Sequence, residues 1–220
     1  MEQQGRLEYA SNPLQLPTPS VDIIIVNSRG ADNPWFINCL QSCQQQTYPN
    51  LGQLVVYNND RALSIGQAYN LGVANSHAEF VLFVGDDDLL SVDLVSHLVG
   101  VLSMVERGTG QPLQMATSFC TLIDADGRPL CKPAMVEGMG HITRMLQVMH
   151  TGLYRRSFLL EQPFDESLSR GVGRAMQHRL ASLQKASGKR MYWANAYHYG
   201  YHYRQHVGMA SQENFALRIA

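Results

Sequence analysis

Phe80-Val81-Leu82-Phe83-Val84 runs through Gly85 straight into Asp86-Asp87-Asp88. Consecutive apolar residues of high β-propensity suit a strand covered on both faces, as in a parallel sheet flanked by helices. Three Asp at the carboxyl end of such a strand repel one another in a dry crevice unless a cation neutralises them. Hard divalent ions such as Mg²⁺ or Mn²⁺ prefer oxygen ligands and often hold a diphosphate at the same time. The plainer alternative is a solvated strand-to-helix turn in which Asp88 or Ser91 caps the next helix. A cap needs only one such side chain. Asp86, Asp87 and Asp88 are therefore candidate ligands for Mn²⁺ or Mg²⁺.

The strand has company. Val21–Val26 reads as a first buried strand with Asn27-Ser28-Arg29-Gly30 as its loop, and residues 33–46 as a helix stopped by Tyr48-Pro49-Asn50. Gln53–Tyr57 follows as a second strand, with Asn58-Asn59-Asp60 as its turn, and 64–75 as a helix with Ser64 at its N-cap. After the acidic strand, 91–107 carries Leu94, Val95, Leu98, Val101, Leu102 and Val105 on one stripe, with Ser91 as its cap. Repeated strand–helix alternation implies parallel β-α-β units and a doubly wound α/β sheet. Ligands bind such sheets at the carboxyl ends of the strands, so the loops at 27–30, 58–61 and 85–88 are expected to line one crevice.

The second half changes character. Met115–Ile123 reads as one strand, with a turn at Asp124-Ala125-Asp126-Gly127 and a return through Arg128–Lys132. Short helices are expected at 139–148 and 155–160 around a strand at 149–154, and a longer helix at 171–186. The aromatic-rich stretch 190–203 reads as one or two strands, with His198 and His202 on one face and His206 in the loop beyond. The expected organisation is a flexible lead-in over 1–20, an α/β half over 21–110, and a smaller mixed half over 111–220 of the same domain.

The chain of 220 residues has a net charge of −1 and is 45% hydrophobic, which describes a globular protein without a polycation surface. Cys39 and Cys43 lie one helical turn apart with no histidine completing a zinc spacing. Free thiols in a reducing, cytoplasmic setting are expected, with no secretion signal and no integral membrane contact. Arginines at 144, 155, 156, 170, 174 and 179 keep an anionic partner open, against a plainly solvated helix surface.

Taken in order, these motifs resemble the GT-A nucleotide-sugar glycosyltransferases, in particular the inverting family-2 group. The matching stretches are Val21–Asn27, Leu54–Asp60, Ser64–Gly72, Glu79–Leu90, Gly152–Arg156, Phe164-Asp165-Glu166 and Tyr203-Arg204-Gln205-His206. The resemblance implies a metal-dependent transfer from a nucleoside-diphosphate sugar, a UDP-sugar first, to an acceptor hydroxyl with inversion. Donor contacts would come from Asn27, Ser28, Arg29, Asn58, Asn59, Asp60, Gln67, Asn70, Asp86 and Arg204. The family's paired acids register here as Asp86/Asp88, or as Gly85/Asp87 with the first acid lost. His206 would join Asp86, Asp87 and Asp88 at the metal.

The chain departs from that pattern in three places. Asn58 stands where relatives commonly carry an Asp that recognises the base, and Tyr69-Asn70 replaces a common Arg-Asn. The stretch Gly171–His178 before Arg179-Leu180 lacks the acidic pair that usually supplies the general base. An inverting transfer needs a base for the acceptor proton. Asp165 and Glu166 are the candidates, with His178 or His150 as substitutes and an exposed turn as the plainer role for the two acids. A catalytically silent sugar-nucleotide or glycan-binding module is the alternative, and a nucleotidyltransferase is disfavoured because 27–30 is a weak phosphate loop. The acceptor is left open between glycan, protein and a modified nucleobase in DNA.

Overall fold

The computed structural model describes residues 18–131, 152–168, 171–188, 193–196 and 198–206. The helix expected at 139–148, the start of the 149–154 strand, Arg144, His150 and Arg170 lie outside them.

The first half follows the expected alternation. Strand β1 (Val21–Asn27) leads to helix α1 (Pro34–Gln44), β2 (Leu51–Tyr57), α2 (Ile65–Asn75) and β3 (Phe80–Gly85). Asn33 caps α1 by accepting from the N–H groups of Trp35 and Phe36, with Pro34 where a missing N–H costs nothing. Ser64 and Gln67 form a reciprocal capping box at the start of α2. A two-residue strand β4 (Leu89–Leu90) then precedes α3 (Leu94–Thr109). The expected start of α3 at Ser91 is displaced because Asp93 occupies the cap position, and the Leu94 N–H bonds the Ser91 carbonyl.

The remaining elements are β5 (Met115–Thr117), β6 (Cys120–Ile123), β7 (Pro129–Cys131), β8 (Leu153–Arg155), α4 (Arg156–Glu161), α5 (Val172–Ser187), β9 (Trp193–Asn195) and β10 (Tyr201–Arg204). The single strand expected over Met115–Ile123 is two, and they serve different sheets. At Phe119 the backbone N–H leaves the first ladder to bond the His198 carbonyl, redirecting the chain. His198 and His202 do not share a strand face, because β10 begins only at Tyr201.

The described residues form a six-stranded sheet in the order β2-β1-β3-β8-β5-β9 and a four-stranded sheet in the order β4-β10-β6-β7. β2, β1 and β3 are parallel, β8 runs against both β3 and β5, and β9 is parallel to β5. Register sets Asn27 level with Tyr57, and Val26 level with Gly85, so the three loops leave the sheet at one edge.

Both faces of the large sheet are covered, as the unbroken apolar runs require. Val21, Ile23 and Ile25 of β1, with Phe80, Leu82 and Val84 of β3, pack against Phe36, Cys39 and Cys43 of α1 and the Leu94/Leu98/Leu102 stripe of α3. The alternate residues Ile24, Val81 and Phe83 face Ala68, Tyr69 and Val73 of α2 and Phe158, Met176 and Leu180 of α4 and α5. Gly72 lets α2 lie against β1, since a Cβ there would sit 2.5 Å from Ile24 Cγ2. In the small sheet, β10 runs beside β4 and β6, carrying residues 201–206 back over the loop after β3.

Candidate active site

The site begins with the turn after β1. Asn27 is fully buried, and its Oδ1 accepts from the N–H groups of Arg29 and Gly30, each at 2.9 Å. That side-chain turn aims the next two residues at the acidic loop. Ser28 donates its N–H (2.7 Å) and its hydroxyl (3.2 Å) to Asp86 Oδ2. Arg29 spans two carboxylates, with Nε 3.2 Å from Asp86 Oδ1 and Nη2 2.7 Å from Asp87 Oδ2.

β10 closes the other side. The Tyr201 hydroxyl donates to Asp88 Oδ2 at 2.5 Å and accepts from the Gly85 N–H at 3.2 Å. The Arg204 N–H donates to Asp88 Oδ1 at 2.8 Å. Its buried guanidinium donates through Nε to the Asp87 carbonyl (2.6 Å) and through Nη1 to the carbonyls of Ala125 (2.7 Å) and Asp124 (3.2 Å). His206 Nε2 lies 2.7 Å from Asp87 Oδ2 and 3.2 Å from Arg29 Nη2.

Trp35, in the first turn of α1, is the floor that sequence reasoning missed. Its ring lies 4.4 Å from the His206 ring, with the guanidinium carbons of Arg29 and Arg204 at 5.2 and 5.6 Å from the indole. The indole N–H is fixed by the Ala125 carbonyl at 3.0 Å. A Trp one residue after a Pro in a capping motif carries no recognisable functional signal. Tyr201 was hidden too, among aromatics that read as packing.

Burial pushes the Asp86 carboxyl up from its ordinary range, opposed mainly by the Ser28 N–H. Asp88 is pushed up further, first by burial and then by the Asp87 charge, against the Tyr201 hydroxyl and Arg204 N–H. Such shifts mark groups that gain from a cation or a proton nearby. The donor types, three carboxylates and one imidazole at a strand end, suit a hard divalent ion, although no three of them bring ligand atoms within 4.8 Å of one another. The Arg29 guanidinium now bridges Asp86 and Asp87, and a divalent ion would have to take over that role.

Other candidates lie outside the acidic loop. Both ends of the Asn58 amide bond Leu63, through its carbonyl (2.9 Å) and N–H (3.0 Å). Asp60 accepts from the Ala62 N–H, and Gln67 serves the capping box of α2. Asn59 is exposed in the same turn. Asn70 clamps the 164–166 segment, bonding the Phe164 carbonyl and N–H and Glu166 Oε1. Asp165 is partly exposed and accepts from the Ser167 hydroxyl (2.6 Å) and N–H (2.9 Å), which hold its carboxyl below the usual range. His178 is exposed on α5, whose residues include no carboxylate. Arg155 pairs with Glu79 and Glu106, Arg156 bonds the Val73 carbonyl, and Arg179 bonds the Pro163 carbonyl.

A mixed α/β sheet with a parallel β2-β1-β3 core, an acidic loop after β3 and a returning strand β10 beside that loop matches a GT-A-like fold. Solved structures that share it include S. aureus TarS 1–349 in complex with UDP-GlcNAc, at TM-score 0.61 and 13% identity over 89% of this chain. The same fragment in complex with UDP aligns at TM-score 0.56 and 13% identity over 84% of this chain. The chain spans 61% and 60% of the length of those two TarS chains. No protein-family model matches the sequence, and no curated protein matches it either. No described helix is long and apolar enough to cross a membrane.

Proposed function

We propose that the chain is a metal-dependent nucleotide-sugar glycosyltransferase, taking a UDP-sugar and transferring the sugar with inversion to an acceptor hydroxyl. One observation carries the reading. Asp86, Asp87, Asp88, Arg29, Arg204 and His206 converge at the carboxyl ends of β1 and β3, in a fold shared with structures that hold UDP and UDP-GlcNAc. Mn²⁺ or Mg²⁺ held by Asp86, Asp87, Asp88 and His206 would supply Lewis-acid stabilisation of the departing diphosphate. Ser28 and Arg29 orient the acidic loop. Asn27 offers a buried amide N–H group with no partner at the same strand end. The exposed turn Asn59-Asp60 follows β2, where the base and ribose would lie.

The acceptor proton requires a base, and Asp165 and Glu166 are the carboxylates proposed for it. Glu166 is the better suited. Its Oε1 is steered by the Asn70 amide, whereas Asp165 is made a weaker base by Ser167. The missing acid on α5 favours a second reading, a sugar-nucleotide-binding module without turnover. The buried thiols Cys39 and Cys43 support placement in a reducing compartment such as the cytoplasm.

The deciding experiment has two readouts. UDP with Mn²⁺ should raise the melting temperature of the wild-type chain and not of Asp87→Asn. UDP-sugars with Mn²⁺ should then release UDP slowly, and Glu166→Gln should abolish transfer while UDP still binds. Binding without any release would favour the silent module. No binding of any nucleotide would overturn both.

A further inference from the structure

A second cluster of metal-ligating side chains lies outside the acidic loop and has no part in the proposed transfer. Asp93 occupies the cap position of α3, yet its side chain makes no capping hydrogen bond. Its carboxylate turns to two imidazoles instead. Oδ2 lies 3.3 Å from His97 Nε2, one turn along the helix, and Oδ1 lies 3.1 Å from His198 Nε2. The two rings stand 4.1 Å apart at 34°. Ser91 Oγ donates to Asp93 Oδ1 at 3.0 Å, the kind of outer contact that orients a ligating carboxylate.

The spacing suits a small transition ion. Among the described residues this is the one group that brings three such ligand atoms within 4.8 Å of one another. Ligands about 2.1 Å from a tetrahedral centre sit roughly 3.4 Å apart. Each imidazole already lies at about that distance from one of the two carboxylate oxygens, and one ligand atom from each residue falls within 4.8 Å of the others. Two imidazoles and one carboxylate select Zn²⁺ and its neighbours over Mg²⁺ or Mn²⁺, which prefer all-oxygen sets.

We propose that Asp93, His97 and His198 bind Zn²⁺ as three protein ligands, with a fourth position open to water. The side chains of His97 (51% exposed) and Asp93 (45%) leave that position accessible. A shallow depression lined by Ser96, Gly100, Val101 and Met104 borders His97. The ion has a structural role. His198 precedes β10, and the Gly200 carbonyl already accepts from the Ser91 N–H at 2.8 Å. Zn²⁺ between α3 and His198 fixes the approach to the strand that carries Tyr201, Arg204 and His206. Without the ion the cluster is a hydrogen-bonded group that holds the same elements more weakly.

Zn²⁺ binding to the metal-free full chain tests the proposal by calorimetry, with Co²⁺ absorption as the geometric readout. One ion is expected at this site with micromolar or tighter affinity and a raised melting temperature, and any second ion, held by the acidic loop, is lost in Asp87→Asn. His97→Ala and Asp93→Asn should each weaken it at least about tenfold, with unchanged circular dichroism. Both side chains are about half exposed, so neither substitution opens the core. Asp87→Asn should leave Zn²⁺ affinity at this site unchanged, which separates this site from the acidic loop whatever the fate of the proposed transfer. Equal affinity in wild type and His97→Ala, loss of all binding in Asp87→Asn instead, or binding only at millimolar Zn²⁺ would overturn the proposal.

Discussion

Arg29 Nη2 lies 2.7 Å from Asp87 Oδ2, placing a fixed positive charge inside the acidic loop. The pair is partly buried, and Arg29 also reaches Asp86. Arg29→Ala leaves both carboxylates uncompensated, at a cost of about 1.5–3 kcal/mol. For a chain of this size each kcal/mol lowers the melting temperature by about 2–4 °C. The same vacancy should favour a divalent ion, so Mn²⁺ affinity is expected to rise several-fold in the variant. Calorimetry with Mn²⁺ checks this, and weaker binding in Arg29→Ala would show that the guanidinium does not compete with the metal.

Asp88 is a stability liability held in place by Tyr201. Burial raises its folded pKa above the unfolded value, so its contribution to stability is present below pH 3.8 and lost as pH rises through the folded value. Asp88→Asn should therefore stabilise the metal-free chain at pH 7, by about 1 kcal/mol or more, and change little near pH 3. Tyr201→Phe should do the reverse, at about 1–3 kcal/mol, because it strands Asp88 Oδ2 and the Gly85 N–H without their shared hydroxyl. Urea unfolding at both pH values separates the two effects. Asp88→Asn is also expected to lose the stabilisation by UDP with Mn²⁺.

What the sequence disclosed depends on how local the signal was. The run Phe80–Val84 announced a two-sided strand because every position is apolar, and the structure covers both of its faces. Ser64 announced a helix start, and the structure adds Gln67 as its reciprocal capping partner. The break at Ser118-Phe119 was illegible, because no Gly or Pro marks it and the turn is made by a long-range bond to His198. The acidic triplet and His206 stood out by residue type. Trp35 and Tyr201 did not, since their roles arise only when β10 folds back beside β4. Asn58 and Asn70, which the resemblance suggested as donor contacts, hold loops together in this structure: Asn58 bonds the Leu63 backbone, and Asn70 the Phe164 backbone and the Glu166 carboxylate.

The cysteines of α1 are expected to be inert. Cys39 and Cys43 are fully buried in the core beneath β1 and β3, and Cys39 Sγ donates to the Gly85 carbonyl at 3.2 Å. Its thiol is pushed up, first by the hydrogen bond with Cys43 and then by burial. Reactivity follows the thiolate, so both should resist a disulfide reagent in the native state. Cys120, also buried, should behave alike. Modification followed by peptide mapping should find these three labelled only after denaturation, and rapid native labelling of Cys39 would contradict the packing of α1.

His202 should give the fold an acid-side weakness. It lies half-buried on β10, level with Leu89 and Thr121, and burial followed by the nearby His198 lowers its pKa. A depressed folded value means that its contribution to stability is present above the unfolded pKa of about 6.5. That contribution is lost as pH falls through the folded value, when the unfolded chain takes the proton more readily. His202→Gln should therefore flatten the decline of stability below about pH 6.5 while changing little at pH 8. Urea unfolding of both chains at pH 8, 6 and 5 measures it, and parallel curves would mean that His202 titrates alike in the folded and unfolded chain.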